Sequence, residues 1–257
     1  MENLFTIISS NKQFTRKNKF NKLNCNPKNI SSKKLVKSDS CLDGKTINLL
    51  KKIWNKRHPD MKISARNKKV IWNKLKNYMS SSCSNEKCWI DQTIINSNEN
   101  KKVKNELFAP NAPNSWRNNI TEWLSSLDIK SVMKQYEEKY NNFSFIGPSP
   151  IDFEVKYENS CVWPELCNFS VKECLKNNKT KIVFIFNTDP HYKSGSHWIA
   201  LFLDLDKKKI FFFDSNGNQE PKEIMELIQK IILQCNQLNI KLKIDSNVGF
   251  THQKQNT

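Results

Sequence analysis

His197-Trp198-Ile199-Ala200-Leu201-Phe202-Leu203-Asp204-Leu205, followed by Ile210-Phe211-Phe212-Phe213-Asp214-Ser215-Asn216-Gly217, is the stretch that decides the fold. Both runs are apolar, rich in aromatic and branched residues, and too short for two buried helices, so they read as neighbouring strands. A histidine opens the first run and an aspartate closes the second, 214 − 197 = 17 positions later. Antiparallel pairing would bring the two side chains to one end of the sheet. A carboxylate that ends a triple-phenylalanine strand is partly desolvated, and its hydrogen bond to imidazole fixes the ring's tautomer and stabilises its protonated form. The pattern is that of a general base with its orienting acid, and it lacks a nucleophile.

The neighbouring segments extend this core into a mixed α+β architecture. Lys181 to Phe186 is continuous, β-branched and aromatic, as expected of a strand covered on both faces. Pro221 starts a helix whose face Ile224, Leu227, Ile228, Ile231, Cys235 and Leu238 keeps a 3.6-residue rhythm. Ile240 to Ile244 alternates and reads as an edge strand. Trp163 to Leu175 reads as a helix. The prolines of Pro148-Ser149-Pro150 restrict the residues before them and mark a break, so the core is expected over residues 143–257.

Upstream of that break, residues 43–142 read as a helical subdomain. Ile47, Leu50 and Trp54 share one face. After a Ser64 cap, Val70, Ile71, Leu75, Tyr78 and Met79 share another. Trp89, Ile90, Thr93 and Ile94 suggest a short helix, and residues 97–106 a surface loop. Ser115 is expected to cap a helix with Trp116, Ile120, Trp123 and Leu124 inward, and Asp128 one with Ile129, Val132, Met133, Tyr136 and Tyr140 inward. From Asn3 to Ser38 there is no acidic residue, while nine Lys and Arg accumulate, so residues 1–42 are expected to be a disordered basic arm.

The net charge is +17, from 42 basic and 25 acidic residues. It favours polyanionic surroundings, and the basic arm offers non-specific nucleic-acid contact or an anchor to a virion or membrane surface. Lys and Asn are abundant along the whole chain, which a compositional bias also produces. The eight cysteines lack the two-residue knuckle of common zinc sites and have no histidine beside them, so no metal site is expected. Nothing resembles a secretion signal, so the cysteines are expected as ordinary thiols in a reducing compartment. No apolar run approaches the roughly 20 residues needed to span a bilayer.

Four blocks in fixed order carry a family resemblance: Asn187-Thr188-Asp189, then Gly195 to Asp204, then Phe213 to Asn218, then His252-Gln253. Over residues 145–257 the chain resembles the SUMO-deconjugating cysteine proteases. It is most similar to the branch in large DNA viruses that includes the African swine fever virus polyprotein protease, and less so to adenain. The region around Cys83 and Cys88 resembles the N-terminal arm of that viral branch. The resemblance implies an adenain-like, papain-like core, a central mixed sheet flanked by helices, and cysteine-type endopeptidase activity without a cofactor. His197 would be the base, Asp214 its orienting partner and Gln253 the oxyanion donor. Trp198 would wall a tunnel that admits only Gly-Gly, and Asn187 would bind substrate backbone. The implied partners are polyproteins with Gly-Gly-X sites, and the implied setting is the virion and the viral factory of the host cytoplasm.

In that family the nucleophilic cysteine follows the glutamine by six positions, and this sequence ends at Thr257. The expectation is a C-terminally truncated, inactive chain, because Cys235, in phase with the apolar face of its helix, makes a poor substitute. Two alternatives remain at this level: a protease-derived binding or virion structural module without chemistry, and a basic nucleic-acid-associated protein.

Overall fold

The computed structural model describes residues 20, 23–31, 35–37, 40–94, 96–119 and 121–252. The chain divides into two compact units, Met1–Pro110 and Asn111–Thr257.

The first unit is helical: α1 (Pro27–Ser31), α2 (Gly44–Arg57), α3 (Lys68–Met79), α4 (Glu86–Thr93) and α5 (Ser97–Leu107). Asp43, Asn67, Asn85 and Asn96 cap α2 to α5, each side chain accepting from backbone N–H groups of the first turn. The cap of α3 is therefore Asn67 rather than Ser64. Residues 97–106 are helical where a loop was expected. α5 has few apolar positions besides Val103 and Leu107, so its start is signalled by its Asn cap and not by a hydrophobic stripe. Ile47, Leu50, Ile71, Trp72, Leu75, Trp89 and Ile90 form a core with Leu42 and Phe108.

The expectation of a disordered arm is corrected for part of residues 23–42. Val36, Cys41 and Leu42 are buried in this core, and the Asn26 N–H donates to the Leu107 carbonyl at 3.0 Å. Phe20 also packs against Trp72 and Trp89; the remaining residues of the basic arm, including most of its Lys and Arg, lie outside the described residues, so the contacts expected of them are not described. Buried Glu86 holds the incoming segment, accepting from Ser40 Oγ at 2.6 Å, from the Cys41 N–H at 2.8 Å and from Trp72 Nε1. The expectation of ordinary thiols also changes, because Cys25–Cys41, Cys83–Cys88 and Cys161–Cys167 are disulfide-bonded, leaving Cys174 and Cys235 as thiols.

The second unit holds α6 (Ser126–Lys139), β1 (Phe143–Pro150), β2 (Lys156–Tyr157), β3 (Ser160–Cys161), α7 (Pro164–Cys167), α8 (Val171–Lys176), β4 (Lys181–Asn187), β5 (Trp198–Asp204), β6 (Lys209–Asp214), α9 (Lys222–Gln237) and β7 (Lys243–Ser246). Its central sheet has the order β1-β4-β5-β6-β7. β4, β5 and β6 are antiparallel neighbours, and the outer strands β1 and β7 run parallel to theirs. The mixed α+β fold with a central mixed sheet is as the sequence indicates. Phe184, Phe186, Leu201, Leu203, Ile210 and Phe212 meet Ile224, Leu227, Ile228 and Ile231 of α9 in one core. Every second residue of β4 is buried, so the strand is closely covered on one face and not on both.

The prolines at 148 and 150 do not end the structure. β1 runs through them, with a register shift between Ile146 and Ser149. It is an outer strand, where the missing proline N–H is tolerated. The expected boundary at 142/143 moves to 110/111 because α6 packs against β1. Ser125 caps α6 and Asp128 closes a reciprocal capping box, so Asp128 sits inside the first turn instead of before it. Only the narrow stripe around Ile129 is buried. Val132, Tyr136 and Tyr140, expected inward, are exposed, as are Trp123 and Leu124. Between Ser115 and Leu124 a single 3₁₀ turn, Asn114–Arg117, replaces the expected helix. Trp163 to Leu175 is broken into α7 and α8. No described helix is long and apolar enough to cross a membrane.

Glu86→Ala would leave three buried donors without their acceptor. At about 1–3 kcal/mol for each unsatisfied group, partly relieved by water, the first unit should lose about 3 kcal/mol of stability. Urea unfolding followed by tryptophan fluorescence reads this directly, and an unchanged midpoint would show that Glu86 does not hold the segment.

Candidate active site

Side chains alternate along β5 and β6, which puts His197, Ile199, Leu201 and Leu203 on the buried face together with Ile210, Phe212 and Asp214. The register pairs Ile199 with Asp214, so the His197 side chain reaches the aspartate from just beyond the strand. His197 Nε2 lies 2.6 Å from Asp214 Oδ1, with the residues 9% and 3% exposed. The backbone of His197 is fixed as well, because its carbonyl accepts from the Thr188 N–H at 2.9 Å.

Asp214 is held on several sides. Its Oδ1 accepts from the Asn216 N–H at 2.8 Å. Asn247, buried just past β7, accepts from the Asp214 N–H at 2.9 Å and donates from Nδ2 to the Asp214 carbonyl at 2.6 Å. The same amide donates to the Phe250 carbonyl at 3.0 Å. Asn247 thus braces the strand end that carries Asp214, and nothing in the sequence pointed to it. A lone asparagine after a strand carries no periodic signal, and only the parallel pairing of β7 with β6 brings it to Asp214.

The segment after Asn247 then runs along the turn that follows β6. The Gly249 N–H donates to the Gly217 carbonyl at 2.9 Å, Thr251 Oγ1 to the Asn216 carbonyl at 3.0 Å, and the His252 N–H to the Ser215 carbonyl at 2.8 Å. Gly217 has φ +75°, and a Cβ there would lie 2.8 Å from the Phe250 backbone, so this close approach requires glycine. His252 is thereby tethered one residue past Asp214. Gln253, the expected oxyanion donor, lies outside the described residues.

Trp198 follows His197 and, by alternation, faces the other side of β5. Its Nε1 donates to the Leu124 carbonyl at 3.0 Å, which fixes the indole, and the ring lines a cleft of about 470 Å³. Asn187, the register partner of Trp198, lines the same cleft. Its Oδ1 accepts from the N–H groups of Asp189 at 2.9 Å and Ser196 at 3.2 Å, stapling the loop that delivers His197. Gly195 has φ +98°, and a Cβ there would come within 2.4 Å of Asn187 Nδ2. The structure thus brings His197 and Asp214 into one hydrogen-bonded pair, and Trp198 and Asn187 into one cleft at the same end of β5.

With Nε2 committed to Asp214, proton exchange with a reacting group falls to Nδ1. Neither thiol among the described residues is suited to it. Cys235 is fully buried on the core face of α9, and burial pushes its thiol up to about 11. Cys174 is also raised, first by burial and then by Glu173 beside it.

Residues 128–254 match the model of the Ulp1 protease family, C-terminal catalytic domain. A protein of Acanthamoeba polyphaga mimivirus named as a thiol protease is 39% identical over 110 residues, covering 43% of this chain and 35% of that one. The chain therefore aligns with about a third of that relative's length. A SUMO-1 cysteine protease of African swine fever virus is 24% identical over 212 residues, 77% of each protein. The crystal structure of the African swine fever virus protease superposes with a TM-score of 0.59 at 19% identity, over 94% of this chain and 82% of that one, which shows the shared fold.

Two outcomes are expected. Asn247→Ala removes the two-way clamp on Asp214 and should cost about 2 kcal/mol in urea unfolding; it should also broaden or remove the ring N–H proton resonance of His197, as Asp214→Ala would. At pH 8 a thiol titrating near 11 is only about 0.1% thiolate. Iodoacetamide should therefore label Cys235 only after unfolding, and rapid labelling of the native chain, located by mass spectrometry, would contradict its burial.

Proposed function

Residues 128–254 belong to the Ulp1 protease family, cysteine-type peptidases, and on that premise we propose that the chain is the catalytic part of a viral endopeptidase that cuts after Gly-Gly in structural polyproteins. The observation that carries this reading is the buried His197–Asp214 pair, one residue away from an indole fixed over a cleft.

In the proposed reaction a cysteine thiol, six positions past Gln253 by the family resemblance, gives its proton to His197 Nδ1, and the thiolate attacks the scissile carbonyl carbon. Asp214 keeps the imidazole in its tautomer and stabilises the imidazolium that forms. The tetrahedral oxyanion would be stabilised by hydrogen-bond donors, among which the family resemblance implies the Gln253 side-chain amide. His197 then returns the proton to the leaving amine. Water, deprotonated by the same ring, hydrolyses the thioester and restores the thiol. The glycine requirement is ascribed to Trp198: with its ring tethered through Nε1 to the Leu124 carbonyl, a substrate residue with a Cβ would collide with the indole where a glycine would pass. Asn187 Nδ2 is the donor offered to the substrate backbone in the same cleft. The virion and the viral factory of the host cytoplasm are the setting in which such polyproteins would be met.

A second reading, a peptide-binding module without chemistry, draws on the burial and raised pKa of both thiols in the described residues. The test is a Gly-Gly-X peptide mixed with the polypeptide of residues 1–257. Binding is expected to weaken at least tenfold when Ala-Ala replaces Gly-Gly, and no turnover is expected. Equal binding of the two peptides would refute the glycine requirement. Cleavage that disappears on Cys235→Ala would overturn the placement of the nucleophile.

A further inference from the structure

The disulfide of the second unit lies on a wall of the cleft. Cys161 ends β3 and Cys167 ends α7, and between them Val162 and Trp163 line the cleft that Trp198 faces. This segment is an excursion from the core. Phe153 before it and Leu166 at its far end are 1% and 0% exposed, and no residue between these two is buried. Its two roots are fixed by α9, where Lys230 Nζ lies 2.9 Å from Glu154 Oε1 and donates to the Cys167 carbonyl at 3.1 Å. Beyond the roots the ties are light. The Val162 N–H donates to the Val155 carbonyl at 2.9 Å and the Trp163 N–H to the Phe153 carbonyl at 3.0 Å. Half-buried Trp163 rests against the core, and the Tyr157 ring meets His191 edge-on with centroids 5.4 Å apart. The β2–β3 hairpin pairs only Lys156 with Cys161 and Tyr157 with Ser160, and a hairpin of that length is not stable by itself. The disulfide is the covalent tie between this hairpin and α7.

This disulfide also differs from the other two in access. Cys25–Cys41 and Cys83–Cys88 each include a buried cysteine, Cys41 at 2% and Cys83 at 1% exposed, whereas Cys161 and Cys167 are both half-buried. Reduction begins when a thiolate attacks one of the two sulfurs, so its rate depends on whether that sulfur can be reached. Of the three bonds, the one on the lightly held hairpin is the one open to such attack. It persists in oxidising surroundings and is cut where small thiols are abundant.

We propose that Cys161–Cys167 is a thiol-reducible strap on the cleft: closed, it holds the β2–β3 hairpin and the Val162–Trp163 wall against α7, and opened, it releases both. The reductant is a small thiol of the glutathione type. Its thiolate forms a mixed disulfide with one cysteine and displaces the other, and a second thiol then displaces the first cysteine. Two small thiols become one disulfide, and Cys161 and Cys167 take up the two electrons and two protons.

Glutathione added in steps to the polypeptide of residues 1–257 tests the strap, with iodoacetamide labelling and hydrogen exchange both read by mass spectrometry. Cys161 and Cys167 should become labelled about tenfold faster than Cys25, Cys41, Cys83 and Cys88. Amide exchange over residues 155–163 should rise about tenfold when the bond opens. Affinity for the Gly-Gly-X peptide, a readout that rests on the glycine reading above, should fall about fivefold as a preformed wall is lost. Cys161→Ser/Cys167→Ser should show the same fast exchange and weaker binding with no thiol added. The reduced native chain carries the comparison by itself if that variant does not fold.

The possible failures separate the two readings. Earlier opening of another disulfide, or exchange over residues 155–163 that stays the same once this one is open, would overturn the strap. Faster exchange with unchanged peptide affinity would overturn its hold on the cleft and leave the glycine reading standing. Faster exchange with no peptide binding before or after reduction would support the strap and overturn the glycine reading.

Discussion

The antiparallel pairing of β5 with β6, in the register that sets Ile199 opposite Asp214, is the constraint on which the rest of the site depends. A slip of one residue would move the aspartate to the other face of the sheet, away from His197 and out of the core. The register is held by the apolar face itself, since Leu201, Leu203, Ile210 and Phe212 can meet the α9 face only in this phase. Packing against α9 and the position of the imidazole are therefore two consequences of the same alternation. The tail depends on it too, because Asn247 and the segment to His252 bond to the backbone that β6 delivers.

How much of this was legible in the sequence varied with the range of the signal. β4, β5, β6 and α9 were readable because their side-chain periods are short and their residues strongly apolar. The His197–Asp214 pair followed from two strand ends joined by a tight turn. α5 was missed because its helix is polar over most of its surface, and β1 because the prolines read as a break unless the strand is known to be an outer one. Asn247 and the Leu124 carbonyl left no local trace. Asn247 acts through a parallel pairing across the sheet, and the Leu124 carbonyl is a backbone group that any residue would supply. The Cys25–Cys41 link is of the same kind, since its pairing depends on how residues 23–42 lie in the first unit.

Asn187 shows how a functional and a structural reading can share one side chain. The family resemblance implies a substrate ligand at this position. Its Oδ1 does the capping, on the Asp189 and Ser196 N–H groups, and its side chain also lines the cleft. The glycine at 195 is the counterpart of this arrangement, since a Cβ would occupy the space beside Nδ2. The loop that carries His197 and one wall of the cleft are thus positioned by one amide.

The burial of His197 and Asp214 argues for function and against a purely structural role. Taking a carboxylate out of water costs several kcal/mol, and buried ionisable pairs are often neutral or destabilising by about 1–4 kcal/mol relative to apolar residues of similar volume. The surrounding face is filled with Ile, Leu and Phe, so apolar residues at 197 and 214 would continue the core without interruption. Instead the chain places an ionisable pair there, adds Asn247 to satisfy the Asp214 backbone, and uses Asn216 to share the carboxylate. The Asn216 N–H answers the carboxylate itself, while Asn247 holds backbone groups that any residue at 214 would present. Packing alone does not account for a buried ionisable pair at these positions, whereas the base proposed above requires an imidazole whose tautomer and position are fixed in advance.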